Sequence, residues 1–198
     1  MNKIAMYAKN ITLATTLIVL TTANSYIHAK NSTTVIKNLG NFIIKIEDIL
    51  TQFFNDKDKT PYSEFVLHLG KTISDFEHKL EHVTRTPDDS YITDACEIAQ
   101  YGRQQFNAAY GIIKQYKGKP ADQVVKFVQD LQKVFSPDTA FTTLVKKLTA
   151  LQKKAEETQD ENLTHIIQQL IHVIEKKKDK WTPSLSMLSK LRFRMNCK

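Results

Sequence analysis

The sequence predicts an all-α fold, an antiparallel bundle of about six helices with heptad-like packing, preceded by a cleavable signal segment. Two observations predict the helices and one the signal. Apolar residues recur in alternating steps of three and four from Val35 to Ile174, and no alternating strand pattern of any length interrupts them; that period is the main secondary-structure signal in a sequence. All five prolines head such a stretch, at Thr60-Pro61, Thr86-Pro87, Lys119-Pro120, Ser136-Pro137 and Thr182-Pro183. Proline at the first helical position gives up no hydrogen bond, because that N–H has no intrahelical partner, and four of the five follow a hydroxyl residue able to cap the free amides. The third observation is the layout of the first 29 residues.

Residues 1–29 read as a secretory signal. Lys3 and Lys9 supply a positive leader, Ile11 to Ala23 carries no charge, and small residues follow at Ala23-x-Ser25 and Ala29, the three-part pattern of a cleavable export sequence. The uncharged run contains five threonines and falls short of the roughly 20 predominantly apolar residues that span a bilayer. Cleavage after Ser25 or Ala29 leaves one domain's worth of chain, long enough to bury about 70% of the surface its unfolded form exposes.

Residues 30–180 are assigned to the bundle. The first helix runs through Val35, Leu39, Phe42, Ile46, Ile49 and Phe53, with Ile36, Ile43 and Leu50 widening its stripe; its apolar face is the broadest, and it is expected to be the most buried. The second uses Tyr62, Val66, Leu69, Ile73, Phe76, Leu80 and Val83. The third uses Ile92, Ala95, Ala99, Gly102, Phe106, Ala109, Ile113 and Tyr116, and its small residues invite close approach of a neighbouring helix. Shorter stripes follow at Val124, Val128, Leu131 and Phe135; at Phe141, Leu144, Leu148, Leu151 and Ala155; and at Leu163, Ile167, Leu170 and Ile174. Short connections make sequential helices mostly antiparallel. Residues 181–198 form a separate basic amphipathic helix, expected to dock on the bundle.

Charge is unevenly spread. The net +7 resolves into a near-neutral body, with 18 basic and 20 acidic residues between 30 and 175, and a tail of eight basic residues and one aspartate from 176 to 198. Only Arg85, Arg103, Arg192 and Arg194 are arginine, so the planar fork that grips phosphates at two points is scarce. Nucleic acid is not an expected partner. Cys96 and Cys197 are the two cysteines; in an oxidising compartment they are candidates for one disulfide, and two buried thiols are the alternative.

His78-Lys79-Leu80-Glu81-His82 carries the sharpest local pattern. It resembles the H-x-x-E-H motif of the inverted zincin peptidases, and that resemblance implies zinc held by His78 and His82, Glu81 as the base for bound water, and a third ligand from Glu156, Glu157 or Glu161. With Leu80 and Val83 facing the core, however, His78, Glu81 and His82 fall on outward heptad positions, and the bottom-up reading is a solvated face. His165 and His172 share a helix face two turns apart, too far for joint ligation. Leu148-Thr149-Ala150-Leu151-Gln152 is similar to the LTxxQ signature of the Spy-like periplasmic chaperones, which implies a surface that shields unfolded clients. Catalytic residues, metal ligands and cofactors are not assigned.

The C-terminal segment is the expected working surface. Lys176, Lys177, Lys178 and Lys180 lead into Trp181, and Lys190, Arg192 and Arg194 alternate with apolar residues beyond Pro183. A basic amphipathic helix with an interfacial tryptophan suits an anionic membrane surface; closing one end of the bundle is the favoured reading, with Cys197 beside Cys96. The expectation is an exported, periplasmic or extracellular, non-enzymatic protein that binds another protein. A periplasmic holdase chaperone and a zinc-dependent hydrolase are the alternatives.

Overall fold

The computed structural model describes residues 31–53, 61–83, 90–116, 119, 121–134 and 141–177. These form six α-helices and one short 3₁₀ turn, with no strand among the described residues. Helix α1 covers 31–53, α2 Tyr62–Glu81 and α3 Ser90–Gln115; the 3₁₀ turn Ala121–Gln123 leads directly into α4 Val124–Val134, followed by α5 Thr142–Glu157 and α6 Glu161–Lys177. Among the described residues no helix is long and apolar enough to cross a membrane. The signal segment, Cys197 and the C-terminal helix lie outside the described residues.

The three-four spacing becomes the core. Every apolar residue of the α3 stripe is buried, as are Leu144, Leu148, Leu151 and Ala155 of α5 and Leu163, Ile167, Leu170 and Ile174 of α6. Ile49, Leu80 and Val83 are partly buried at its margin. Fully burying a side chain of this size stabilises the fold by about 1.5–3 kcal/mol, so the stripes supply the principal driving force. Phe65, Ile98 and Phe127 belong to the same core, although the sequence stripes pass them by.

Contacts between helices give their relative directions. Along α1 and α2 the ring pairs run in opposite senses: Phe42 stacks on Phe76 with centroids 4.3 Å apart, and Phe53 on Phe65 at 3.9 Å. Helices α2 and α3 are also antiparallel, joined by Arg103 Nη1 to Glu77 Oε1 at 2.5 Å near one end and by the Tyr62 hydroxyl, which donates to the Ile113 carbonyl, near the other. Between α3 and α5, Asp94 accepts from Lys154, Lys147 stands over the Tyr101 ring at 5.9 Å, and Phe106 meets Phe141 edge-on; these two are again antiparallel. Helix α4 closes on the end of α3, where the Tyr116 hydroxyl donates to Asp130 Oδ2 at 2.8 Å and its ring lies against Phe127.

Helix α1 touches three others. Besides the α2 stacks, Phe42 meets Phe106 of α3 edge-on, Leu39 reaches the surface of Gly102, and Gly40 faces the Leu170 side chain of α6. Its buried set includes Ser32, Thr33 and Glu47 besides the predicted apolar stripe, of which Ile49 alone is only partly buried. The small residues of α3 do admit a close neighbour: a β-carbon on Gly102 would lie 3.0 Å from Leu39 Cδ1.

One helix boundary can be compared with its proline mark within the described residues. Pro61 is itself the N-cap of α2, with ψ 145° and its carbonyl accepting from the Glu64 and Phe65 amides at 3.0 Å. Its ring suits this position as well as the first helical one, because φ of −57° serves both. The described spans of α3 and α5 open at Ser90 and Thr142, and Pro87 and Pro137 lie outside the described residues. The α5–α6 turn has neither proline nor glycine. Gln159 takes a left-handed φ of 58°, and the Asp160 and Gln159 amides bond back to the Ala155 and Glu156 carbonyls at 2.9 and 3.0 Å, the paired pattern that satisfies a helix C-terminus. Asp160 then caps α6, its Oδ1 accepting from the Leu163 amide at 3.0 Å.

Candidate functional site

The antiparallel register of α1 and α2 produces a surface groove with an apolar floor. With Phe42 lying flat on Phe76, at an interplanar angle of 8°, the flanking polar residues of both helices are raised into two rims. Asn38, Asn41 and Lys45 stand on the α1 side; Thr72, Asp75 and Lys79 stand on the α2 side, and the space between measures about 300 Å³. His78 closes one end. Rim charges of both signs, with amides and a buried threonine, surround an aromatic floor.

At that end α2 presents its histidine pair. His78 and His82 are four residues apart and therefore one above the other on the helix. Their Nε2 atoms are 3.1 Å apart, and the rings meet edge to face with centroids at 4.3 Å. Glu81 Oε2 lies 3.9 Å from Nδ1 of His78, on the opposite side of that ring from His82. The side chains of His78 and Glu81 are 71% and 69% exposed, so this is a solvated face, as the heptad placement requires.

The glutamates proposed as a third ligand stand on other helices, with Glu157 the last residue of α5. Glu156 accepts from Gln152 at 2.9 Å on the outside of α5, and Glu161 opens α6 beyond the turn. Among the described residues no group of three or more His, Cys, Asp or Glu side chains is placed to hold a metal ion. His165 and His172 lie exposed along α6 and line a second shallow groove with Gln168, Gln169, Ile171 and Glu175; His165 Nε2 is 2.8 Å from Gln169 Nε2.

The LTxxQ residues divide between core and helix surface. Leu148 and Leu151 are buried, Thr149 Oγ1 donates to the Val145 carbonyl at 2.9 Å, and Gln152 bonds to Glu156. Cys96 is buried on α3, whereas Cys197 lies outside the described residues, and with it the pairing. Lys176 is exposed near the end of α6 and Lys177 is its last residue. Lys178, Lys180, Trp181, Lys190, Arg192 and Arg194 also lie outside the described residues.

The groove rims were not singled out by the sequence reading. Asn38, Asn41 and Lys45 follow the helical three-four step on α1, and Thr72, Asp75 and Lys79 do so on α2. That alignment is a visible signal, yet only the pairing of the two helices brings the two rows together. The chain matches no family model, no curated protein and no solved structure.

Proposed function

We propose that the chain is an exported, non-enzymatic helical module that acts by binding another protein, with the antiparallel, heptad-packed bundle as its scaffold. The observation that carries this reading is the α1–α2 groove: an aromatic floor formed by Phe42 and Phe76 inside a rim of Asn41, Lys45, Asp75 and Lys79. An apolar centre within a polar rim is the layout of protein–protein interfaces. The groove's roughly 300 Å³ stands at the lower limit for small-molecule pockets. Export rests on the sequence of residues 1–29, and the basic C-terminal segment is a second contact surface of the same module, suited to an acidic partner or an anionic membrane.

The geometry of the H-x-x-E-H residues supports a binding role over hydrolysis. A general base must reach the water it activates, whereas Glu81 stands against the Nδ1 edge of His78, away from the Nε2 atoms that would face an ion.

The test is site-specific photo-crosslinking in the native compartment, with the reactive group at Asn41 or, as a control on another face, at Gln168. One discrete adduct from position 41, lost in Lys45→Glu combined with Asp75→Lys, supports the reading. A smear of adducts from both positions, with suppression of aggregation of a denatured client, would instead identify a holdase.

A further inference from the structure

The geometry points to a divalent transition-metal site at His78 and His82, in which the two Nε2 atoms chelate one ion and Glu81 positions His78. Zinc bonds imidazole nitrogen at about 2.0–2.1 Å. Two such bonds meeting at between a right angle and the tetrahedral angle place the nitrogens about 2.9–3.4 Å apart by that same bond length. The observed Nε2 to Nε2 distance is 3.1 Å. The helix places the two rings one turn apart on one face, and their side-chain torsions bring the nitrogens to chelating distance.

In the ion-free protein the same distance is an N–H···N hydrogen bond between the rings. Which ring donates depends on the tautomer each adopts. Binding an ion requires both rings to carry their protons on Nδ1, which frees both Nε2 lone pairs. Glu81 Oε2 stands 3.9 Å from Nδ1 of His78. Placement of a carboxylate behind a ligating imidazole is the usual means of orienting the ring and raising its basicity.

Two imidazoles fill two coordination positions, and no third described side chain completes the set. The remaining positions belong to water or to a donor brought by a partner. His78 also closes the end of the α1–α2 groove, so an ion held here would stand at the mouth of the proposed interface. The site itself follows from the histidine geometry alone and does not depend on that interface.

Imidazole selects borderline ions, and affinity should follow the Irving–Williams order, copper(II) above nickel(II) and zinc(II). Calcium and magnesium, which take oxygen ligands, should not compete. The experiment is a titration of the full chain with copper(II), nickel(II) and zinc(II) chlorides separately, followed by calorimetry and by histidine NMR resonances. One equivalent should bind with selective shifts at His78 and His82, and His78→Ala or His82→Ala should weaken it at least about tenfold. Because Glu81 stands 3.9 Å from Nδ1 without a hydrogen bond, Glu81→Gln should weaken binding by less than the roughly tenfold lower bound for a hydrogen-bonded outer-shell partner, while His165→Ala and His172→Ala leave it unchanged. Retained affinity in both His78→Ala and His82→Ala, or shifts confined to other histidines, would overturn the assignment. All five substitutions lie on exposed positions, so a folding defect is not expected, and helical circular dichroism checks this directly.

Discussion

Tyr110 seals the α2–α3 contact against Gly70: its hydroxyl lies 2.8 Å, and its Cζ 3.0 Å, from the point a β-carbon on that glycine would occupy. A glycine inside a helix ordinarily costs about 0.5–1 kcal/mol relative to alanine, and here the cost is offset by the close approach of the tyrosine ring. Gly70→Ala is therefore expected to destabilise the fold, by about 1–3 kcal/mol as overpacking usually does. In a Tyr110→Ala background the sign should reverse, because only the gain in helix propensity remains. Urea denaturation of the four proteins measures this; additive effects would show that the two residues do not meet in this way.

The α5–α6 turn offers an opposite pair of substitutions. Gln159 holds a left-handed φ of 58°, which glycine adopts without steric cost, so Gln159→Gly should raise stability by about 0.5–1 kcal/mol. Asp160→Ala removes the acceptor of the Leu163 amide and should lower it by about 1 kcal/mol. Thermal unfolding resolves both, and a destabilised Gln159→Gly would mean that the turn does not adopt this conformation.

Alkaline pH should loosen the bundle through two tyrosines. Burial raises the Tyr62 phenol well above its ordinary range. Tyr116 is pushed up to about 12, first by burial and then by its hydrogen bond to the Asp130 carboxylate and that group's negative charge. A folded-state value above the unfolded one, near 10, contributes stability that is whole below pH 10 or so and is lost as the pH rises beyond it. Asp130 is shifted the other way, chiefly by the Tyr116 hydrogen bond; its contribution is present above about pH 4 and is lost as the pH falls through its folded value. Denaturant midpoints at pH 8 and pH 11 should fall less in Tyr62→Phe than in the parent chain. Equal falls would remove Tyr62 from the account.

Within the LTxxQ residues, side-chain roles predict a clean division. Leu148 is fully buried, and Leu148→Ala should cost about 2–5 kcal/mol. Thr149 and Gln152 bond only to neighbours on their own helix in the contacts described, so Thr149→Ala and Gln152→Ala should each change stability by no more than about 0.5 kcal/mol. Client-protection assays on the same variants extend the test: loss of protection in Thr149→Ala, without loss of stability, would favour the chaperone reading.

The helices were legible because each stripe reports its own burial. Leu144, Leu148, Leu151 and Ala155 satisfy the three-four step and are buried. Phe65 and Phe127 escaped because Val66 and Val128 beside them already filled the step, and a wide buried face admits both neighbours. The α5–α6 turn carries no breaker residue, and its geometry comes from Gln159 tolerating a left-handed φ. The candidate site was half legible. The four-residue spacing of His78 and His82 can be read directly, but the ring orientations that bring Nε2 to Nε2, and set Glu81 behind His78, depend on side-chain torsions. The groove needed more still, since nothing within α1 alone announces that Phe42 will lie on Phe76.

Leu170 Cδ1 lies 3.8 Å from the point a β-carbon on Gly40 would occupy, which sets the first described helix beside the last. Pairings this distant in sequence must close a very long loop before they return any energy, and topologies rich in them fold slowly. Helix α1 therefore waits with part of its apolar surface uncovered until α6 has been synthesised. Under the export proposed above this delay would be useful, because a translocation channel threads an unfolded polypeptide. The same delay leaves a sticky nascent segment, so the interval between synthesis and closure is when this protein most depends on being kept from aggregation.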